Sequence, residues 1–134
     1  MIVVDTNVIS YFYLTSEYSE LAEELFAKDS AWAAPLLWRS EFRNVLAGYL
    51  RKGLLTLPDT IRITETAENL LAGNEYQVPS LRVLQLAAES SCSAYDCEFV
   101  SLAQDLGVSL ITMDKKILAA FPATARSIPQ HLNS

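Results

Sequence analysis

The sequence has one histidine, His131, and two cysteines, Cys92 and Cys97. The cysteines do not form a Cys-x-x-Cys pair and the histidine stands near the C-terminal end, so the ligand spacings of structural zinc are missing. Two thiols with no disulfide framework suit a reducing compartment, and a cytoplasmic protein is expected. No apolar run approaches the roughly 18 residues that span a bilayer, so no membrane partner is expected. The apolar N-terminus, MIVVDTNVIS, has no basic residues ahead of it and carries Asp5 where a signal peptide needs its hydrophobic stretch. It reads as a buried first strand. Positive charge is also scarce: 10 Lys and Arg against 16 Asp and Glu leave a net charge of −6. That argues against a protein that grips nucleic acid through a general basic surface. It does not exclude a polyanionic substrate, because a cation held by carboxylates reverses the local sign.

What is present is a chain of 134 residues, 51% hydrophobic and 19% charged, enough for a single domain, 1–134, with one core. There is no internal repeat, low-complexity tract or charged tail. Residues 1–5 read as a short buried strand ending on Asp5, followed by helix to about Leu14 and again from Glu17 to Lys28. Residues 31–34 read as a strand ended by Pro35. A long helix over Leu36 to Lys52 stops at Gly53, and another over Asp59 to Ala72 stops at Gly73. Tyr76 to Val78 reads as a strand, Ser80 as the cap of a helix to Ser90, and Ala94 to Leu106 as a helix closed by Gly107. VSLIT (108–112) is the clearest strand. A short helix over 115–121 and an extended piece over Ala125–Ile128 finish the chain. Strands alternating with helices imply an α/β fold, with a mainly parallel central sheet and helices on both faces. Such sheets bind ligands outside the carboxyl ends of their strands.

Four acids stand in telling positions. Asp5, in Asp5-Thr6-Asn7, follows the first strand, and Asp114 follows VSLIT; either suits a helix cap. Asp96 lies three residues after Ser93, the spacing of a variant capping box. Glu41 falls at the rim of the helical stripe Trp38, Phe42, Val45, Leu46 and Tyr49, where a stem on apolar surface and a head in water would suffice. Taken singly, each has a structural explanation. Taken together, carboxylates gathered at strand ends and on a helix rim repel one another unless a cation neutralises them. Oxygen donors without histidine or thiolate favour Mg²⁺, with Mn²⁺ as the other candidate, and such ions support phosphoryl chemistry.

IVVDTNVI at 2–9, WRSEFRNVL at 38–46, SAYDCEFVSLA at 93–103 and LITMDKKI at 110–117 occur in the order of a known family. Over nearly its whole length the chain resembles the PIN-domain proteins, in particular the VapC-type toxins of bacterial and archaeal toxin–antitoxin pairs. The resemblance implies a PIN-like three-layer sandwich. It implies a metal-binding catalytic cluster of Asp5, Glu41, Asp96 and Asp114, with Thr6, Asn7 and Thr112 as supporting polar residues. The implied activity is endonucleolytic RNA cleavage by metal-activated water, leaving a 3′-hydroxyl and a 5′-phosphate. All four acidic positions are filled. The one departure is Cys97, where the family usually has a smaller residue such as alanine.

Other features are less decisive. Arg39 and Arg43, four apart on the Glu41 helix, are candidates for phosphate contact, though ordinary solvated surface is the stronger reading for Arg39. Lys115 and Lys116, beside Asp114, are open to either. The aromatic group Tyr11, Phe12, Tyr13, Tyr18 and Trp38 is expected to be mostly core, with some of it left for an antitoxin segment or a homodimer face. Two alternatives stand: a catalytically silent PIN binding module, and a Mg²⁺-dependent receiver or phosphatase-type α/β domain. The latter is weakened by Asp5-Thr6-Asn7 where a dehalogenase-like phosphatase has Asp-x-Asp.

Overall fold

Residues 2–4 are apolar without alternation, the pattern of a strand buried on both faces. In the computed structural model, which describes residues 1–134, they form β1 (Ile2–Val4) at the centre of a five-stranded sheet. The others are β2 (Trp32–Pro35), β3 (Glu75–Tyr76), β4 (Leu110–Ile111) and β5 (Ala125–Arg126), in the order β3-β2-β1-β4-β5. Every pairing is parallel, with Val3 opposite Ala33 on one side and Leu110 on the other. The expected mainly parallel sheet is therefore wholly parallel. The chain steps from β1 outward to β3, then returns to the other side of β1 for β4. This reversal lies between β1 and β4 and opens a crevice at their carboxyl ends.

Eight helices connect the strands: α1 (Thr6–Tyr13), α2 (Ser19–Lys28), α3 (Leu37–Arg51), α4 (Leu57–Leu71), α5 (Ser80–Ala88), α6 (Ala94–Leu106), α7 (Lys115–Ala120) and α8 (Ile128–Leu132). α6 packs on β1, β2 and β4 with α5 behind it, while α3 and α4 pack on β2, with α1 against both and α2 against α1. Residues 2–4 and 32–35 are all buried, so helices cover the sheet on both sides. Trp32, Trp38, Phe42 and Phe99 are the largest fully buried side chains of the core. Phe12 packs against Trp32 and Phe26, and Tyr13 against Phe42, so most of the aromatic group is core. No helix is long and apolar enough to cross a membrane.

Gly53, Gly73 and Gly107 stand just past α3, α4 and α6, as their positions predict. At Gly107, φ is +67°, a left-handed turn that a side chain would strain, and it redirects the chain from α6 toward β4. Elsewhere the boundaries move for identifiable reasons. α4 starts at Leu57 rather than Asp59, because Thr56 and Asp59 close a capping box around Pro58. Ser80 is the first helical residue of α5 rather than its cap, and Pro79 holds the cap position without a side-chain hydrogen bond. β3 begins one residue earlier than expected, and β4 is shorter than VSLIT. The extended piece expected over Ala125–Ile128 is β5 at Ala125–Arg126, but its end is corrected: Ser127 and Gln130 form a second capping box, and Ile128 begins α8.

Arg39 is not simply solvated surface. Its guanidinium forks onto Glu75, Nε to Oε2 at 2.6 Å and Nη2 to Oε1 at 2.8 Å, and Nη1 reaches Glu68 at 3.1 Å. Trp38 Nε1 donates to the same Glu75 carboxylate. These bonds tie α3, α4 and β3 together, and they leave Arg39 committed to structure rather than to a phosphate.

Candidate active site

Two backbone devices build the crevice. Asp5, the residue after β1, caps α1: its Oδ1 accepts from Thr6 N at 2.8 Å. Its Oδ2 accepts from the Thr112 hydroxyl at 2.7 Å, so both carboxylate oxygens are fixed. Asp114 caps α7, with Oδ1 accepting from Lys116 N at 2.8 Å and Ile117 N at 3.1 Å. Thr112, directly after β4 and fully buried, joins the two. Its hydroxyl donates to Asp5 and accepts from Asp114 N at 3.0 Å and from Asn7 Nδ2 at 3.4 Å. The expected capping explanations for Asp5 and Asp114 are thus correct. Capping also aims these carboxylates at the crevice.

Glu41 reaches the same crevice from α3. Its Oε1 accepts from the Thr6 hydroxyl at 2.7 Å, a bond that spans the first motif and the helix rim. Asp96 comes from the first turn of α6, where Ser93 is the cap and accepts from Asp96 N at 3.1 Å. Asp5, Thr6, Asn7, Glu41, Asp96 and Asp114 line one open cavity of about 330 Å³, together with Ser10, Asn44 and Val45. Six of the seven expected site residues therefore face one space, and Thr112 stands behind it as their brace.

Crowding of negative charge shows in the acids themselves. Burial pushes the Asp5 carboxyl from 3.8 to about 6 in spite of the Thr112 and Thr6 hydrogen bonds, and the charges of Glu41 and Asp96 add to the rise. Burial also raises Glu41 against its bond from Thr6, with the Asp96 charge acting in the same direction. Asp96 is raised by burial and then by Asp114, while the nearby Lys116 ammonium pulls it back. Raised carboxyls around one cavity mark a place where a cation would be welcome.

The donor set suits a hard cation: carboxylates, an amide oxygen and hydroxyls, without imidazole or thiolate. The Cys92 and Cys97 thiols are buried, and burial raises both. Asn7 Oδ1 is buried and accepts no hydrogen bond, an oxygen in want of a partner. No three of the carboxylates converge closely enough to encircle an ion unaided. Mg²⁺ does not need them to, because it takes one or two carboxylates and completes its octahedron with water and phosphate oxygens.

Ser10, Asn44 and Glu98 were not singled out by the sequence. Asn44 follows Glu41 by one helical turn and so shares its face, a signal that spacing alone carries. Ser10 follows Thr6 by four and donates to its carbonyl. Glu98, two residues on from Asp96 and so on another face of α6, lines a separate hollow with Leu36, Tyr76 and Ala94, and burial and then the charge of Glu41 raise its carboxyl. Arg43 lies away from the cavity, in a hollow with Thr60, Ile61, Thr64 and Glu65. Lys115 and Lys116 are exposed at the start of α7.

Replacing Thr112 with valine should destabilise the fold by about 2 kcal/mol, because it strands a buried Asp5 oxygen and the Asp114 amide. Thr112→Ser should recover more than half of that loss. Urea denaturation of the two variants checks this, and equal stability of Thr112→Val and the unaltered chain would contradict it.

The PIN domain family model matches residues 2–123. The chain is 28% identical over 125 residues to ribonuclease VapC3 of Pyrobaculum aerophilum, covering 91% of this chain and 95% of that protein. Among solved structures, PAE2754 from Pyrobaculum aerophilum superposes with a TM-score of 0.76 at 21% identity, over 98% of this chain and 93% of that one. A toxin–antitoxin complex from Klebsiella pneumoniae superposes with a TM-score of 0.71 at 18% identity, over 96% and 98%. These structures share the fold, and the receiver and phosphatase-type alternatives fall with it. By its matching family model and the motifs that fill the cavity, the chain belongs to the PIN-domain family.

Proposed function

We propose that this chain is a Mg²⁺- or Mn²⁺-dependent endoribonuclease, the toxin of a toxin–antitoxin pair, acting at the acidic cavity. The observation that carries the reading is the arrival of four carboxylates from four separate segments at one cavity beside the β1–β4 reversal. The kinship with a ribonuclease supports RNA as substrate, and the fold shared with a toxin–antitoxin complex supports an antitoxin protein as partner.

In this reading Asp5, Glu41, Asp96 and Asp114 would hold the cation. Thr6 and Thr112 fix the orientation of Glu41 and Asp5, which keeps two of the donors from turning away. When bound, such a cation would supply positive charge and a more acidic water for phosphoryl chemistry. Lys116, close enough to act on Asp96, contributes positive charge to a neighbouring phosphate. No imidazole lines the cavity, so carboxylates are the side chains there that could take a proton from water.

Incubation of a single-stranded RNA with the purified chain tests this. Cleavage is expected with Mg²⁺ or Mn²⁺, to be abolished by EDTA and restored by excess cation, leaving 5′-phosphate ends. Cleavage that persists in EDTA would overturn the metal-dependent reading. A chain that binds RNA but cuts none with either cation would be the silent PIN module instead.

A further inference from the structure

One turn of α3 offers a second hollow. Leu37, Ser40, Glu41 and Asn44 follow the i, i+3, i+4, i+7 spacing of a single helix face. Tyr95 in the first turn of α6 stands across from them, and the five side chains line a depression of about 250 Å³. Glu41 and Asn44 line the acidic cavity as well, so the two hollows share a wall. Tyr95 immediately precedes Asp96 in the chain and is 62% exposed. It packs against no other aromatic ring, unlike Tyr11, Phe12 and Tyr13.

An aromatic ring left in water beside a reaction cavity has a face available for stacking. Here the apolar Leu37 is half-buried in the same hollow, while Ser40 and Asn44 are exposed and bring a hydroxyl and a carboxamide. A ring face combined with hydrogen-bonding side chains is what an unpaired nucleobase requires: stacking for affinity, edge contacts for selection. The charge balance points the same way. A chain with net charge −6 has little basic surface with which to hold RNA, so uncharged contacts must supply part of its affinity.

We infer that the Tyr95 depression is a nucleobase subsite, in which one unpaired base next to the cleaved phosphate stacks on Tyr95 and is read by Asn44 and Ser40. The inference rests on the ribonuclease reading for its substrate and adds which side chains meet the unpaired base beside the cut. A base held in a duplex cannot turn out onto the ring without losing its own stack.

Binding separates this subsite from the chemistry. Fluorescence anisotropy of a labelled single-stranded RNA of about 12 nucleotides, with Ca²⁺ replacing the catalytic cation, compares the unaltered chain with Tyr95→Ala and Tyr95→Phe. Tyr95→Ala should weaken binding about tenfold, within the range for one stacked base. Tyr95→Phe, which keeps the ring, should stay within about twofold. An RNA with a single abasic position, scanned along the strand, should at one position lose affinity for the unaltered chain and bind Tyr95→Ala no worse than before. The same sequence as a duplex should not distinguish the two proteins. Alanine at an exposed helical position does not threaten folding, and a thermal melt of the variant confirms that.

Equal binding of single-stranded RNA by Tyr95→Ala and the unaltered chain, or no binding by either, would overturn the inference. So would a change in oligomeric state on Tyr95→Ala with RNA affinity untouched, which would assign the ring to a protein contact. If the stacking effect appears but no RNA is cut with Mg²⁺ or Mn²⁺, the subsite stands and the ribonuclease reading fails. If RNA is cut with an unchanged KM in Tyr95→Ala, the reverse holds.

Discussion

Asp5→Asn is expected to lower the rate of RNA cleavage by about a thousandfold, equivalent to about 4 kcal/mol of transition-state stabilisation. Asp5 is the most buried of the four acids at 8% exposure, and both of its oxygens are fixed by hydrogen bonds. Asparagine has the same shape but presents a neutral oxygen and an NH₂ group in place of two anionic oxygens. One of the two existing bonds, from Thr6 N or from Thr112, survives at the remaining oxygen. The fold should therefore survive, since the substitution also removes a carboxylate that burial disfavours. Steady-state cleavage in Mg²⁺, with thermal melts run in parallel, measures both effects. A variant that folds and cleaves at the unaltered rate would remove Asp5 from the chemistry.

In EDTA the chain is expected to become more stable as the pH falls from 7 to 5. Folding moves the Asp5 carboxyl from 3.8 to about 6. Between those values the native state keeps a proton that the unfolded chain has released. The stabilising contribution of this group is complete below the lower value and is lost as the pH rises through about 6. Its full size is about 3 kcal/mol, from a rise of about 2 pKa units at 1.36 kcal/mol each. Glu41, Asp96 and Glu98, also raised, act in the same sense. His131 acts in the opposite sense, because burial and the charges of Lys28 and Arg126 hold its imidazole below its ordinary value. The depressed Glu75 loses its contribution only below the ordinary carboxylate range, outside this window. With four groups against one, the melting temperature should rise by several degrees between pH 7 and pH 5, and Asp5→Asn should flatten the profile. Saturating Mg²⁺ should reverse the slope, since the cation binds the deprotonated carboxylates. A melting temperature that falls steadily with acidification in EDTA would contradict the account.

How much of this was legible in the sequence follows the reach of each interaction. Helix stops at Gly53, Gly73 and Gly107 are local chemistry, and they stand where the pattern puts them. The unbroken apolar run Ile2-Val3-Val4 marks a strand covered on both faces, and that implies parallel pairing. The four acids were visible because each follows a strand, stands in the first turn of a helix or rides a helix rim. α8 was missed although Ser127 and Gln130 have capping-box spacing, because the segment carries too few residues for periodicity to register. β1, β3 and β4 are shorter than expected, whereas β2 keeps its four residues but shifts by one to take in Pro35. What no local pattern reveals is who meets whom. Thr6 bonds Glu41 across 35 residues, Thr112 bonds Asp5 across 107, and Arg39 finds Glu75 across 36. The first two bonds fix Glu41 and Asp5 in the cavity, and the Thr112 bond forms only once the sheet has brought β1 and β4 side by side.

Mn²⁺ binding followed by electron paramagnetic resonance tests the central claim most directly, because it reports the cation site without any assumption about substrate. The account predicts that the unaltered chain binds Mn²⁺, that Mg²⁺ competes for the same site, and that Asp5→Asn and Asp96→Asn each weaken binding at least about tenfold. Glu68→Gln, which alters a carboxylate remote from the cavity, should leave it unchanged. Absence of Mn²⁺ binding by the folded chain, or equal binding by Asp5→Asn and Asp96→Asn, would contradict the claim that these carboxylates form one metal site.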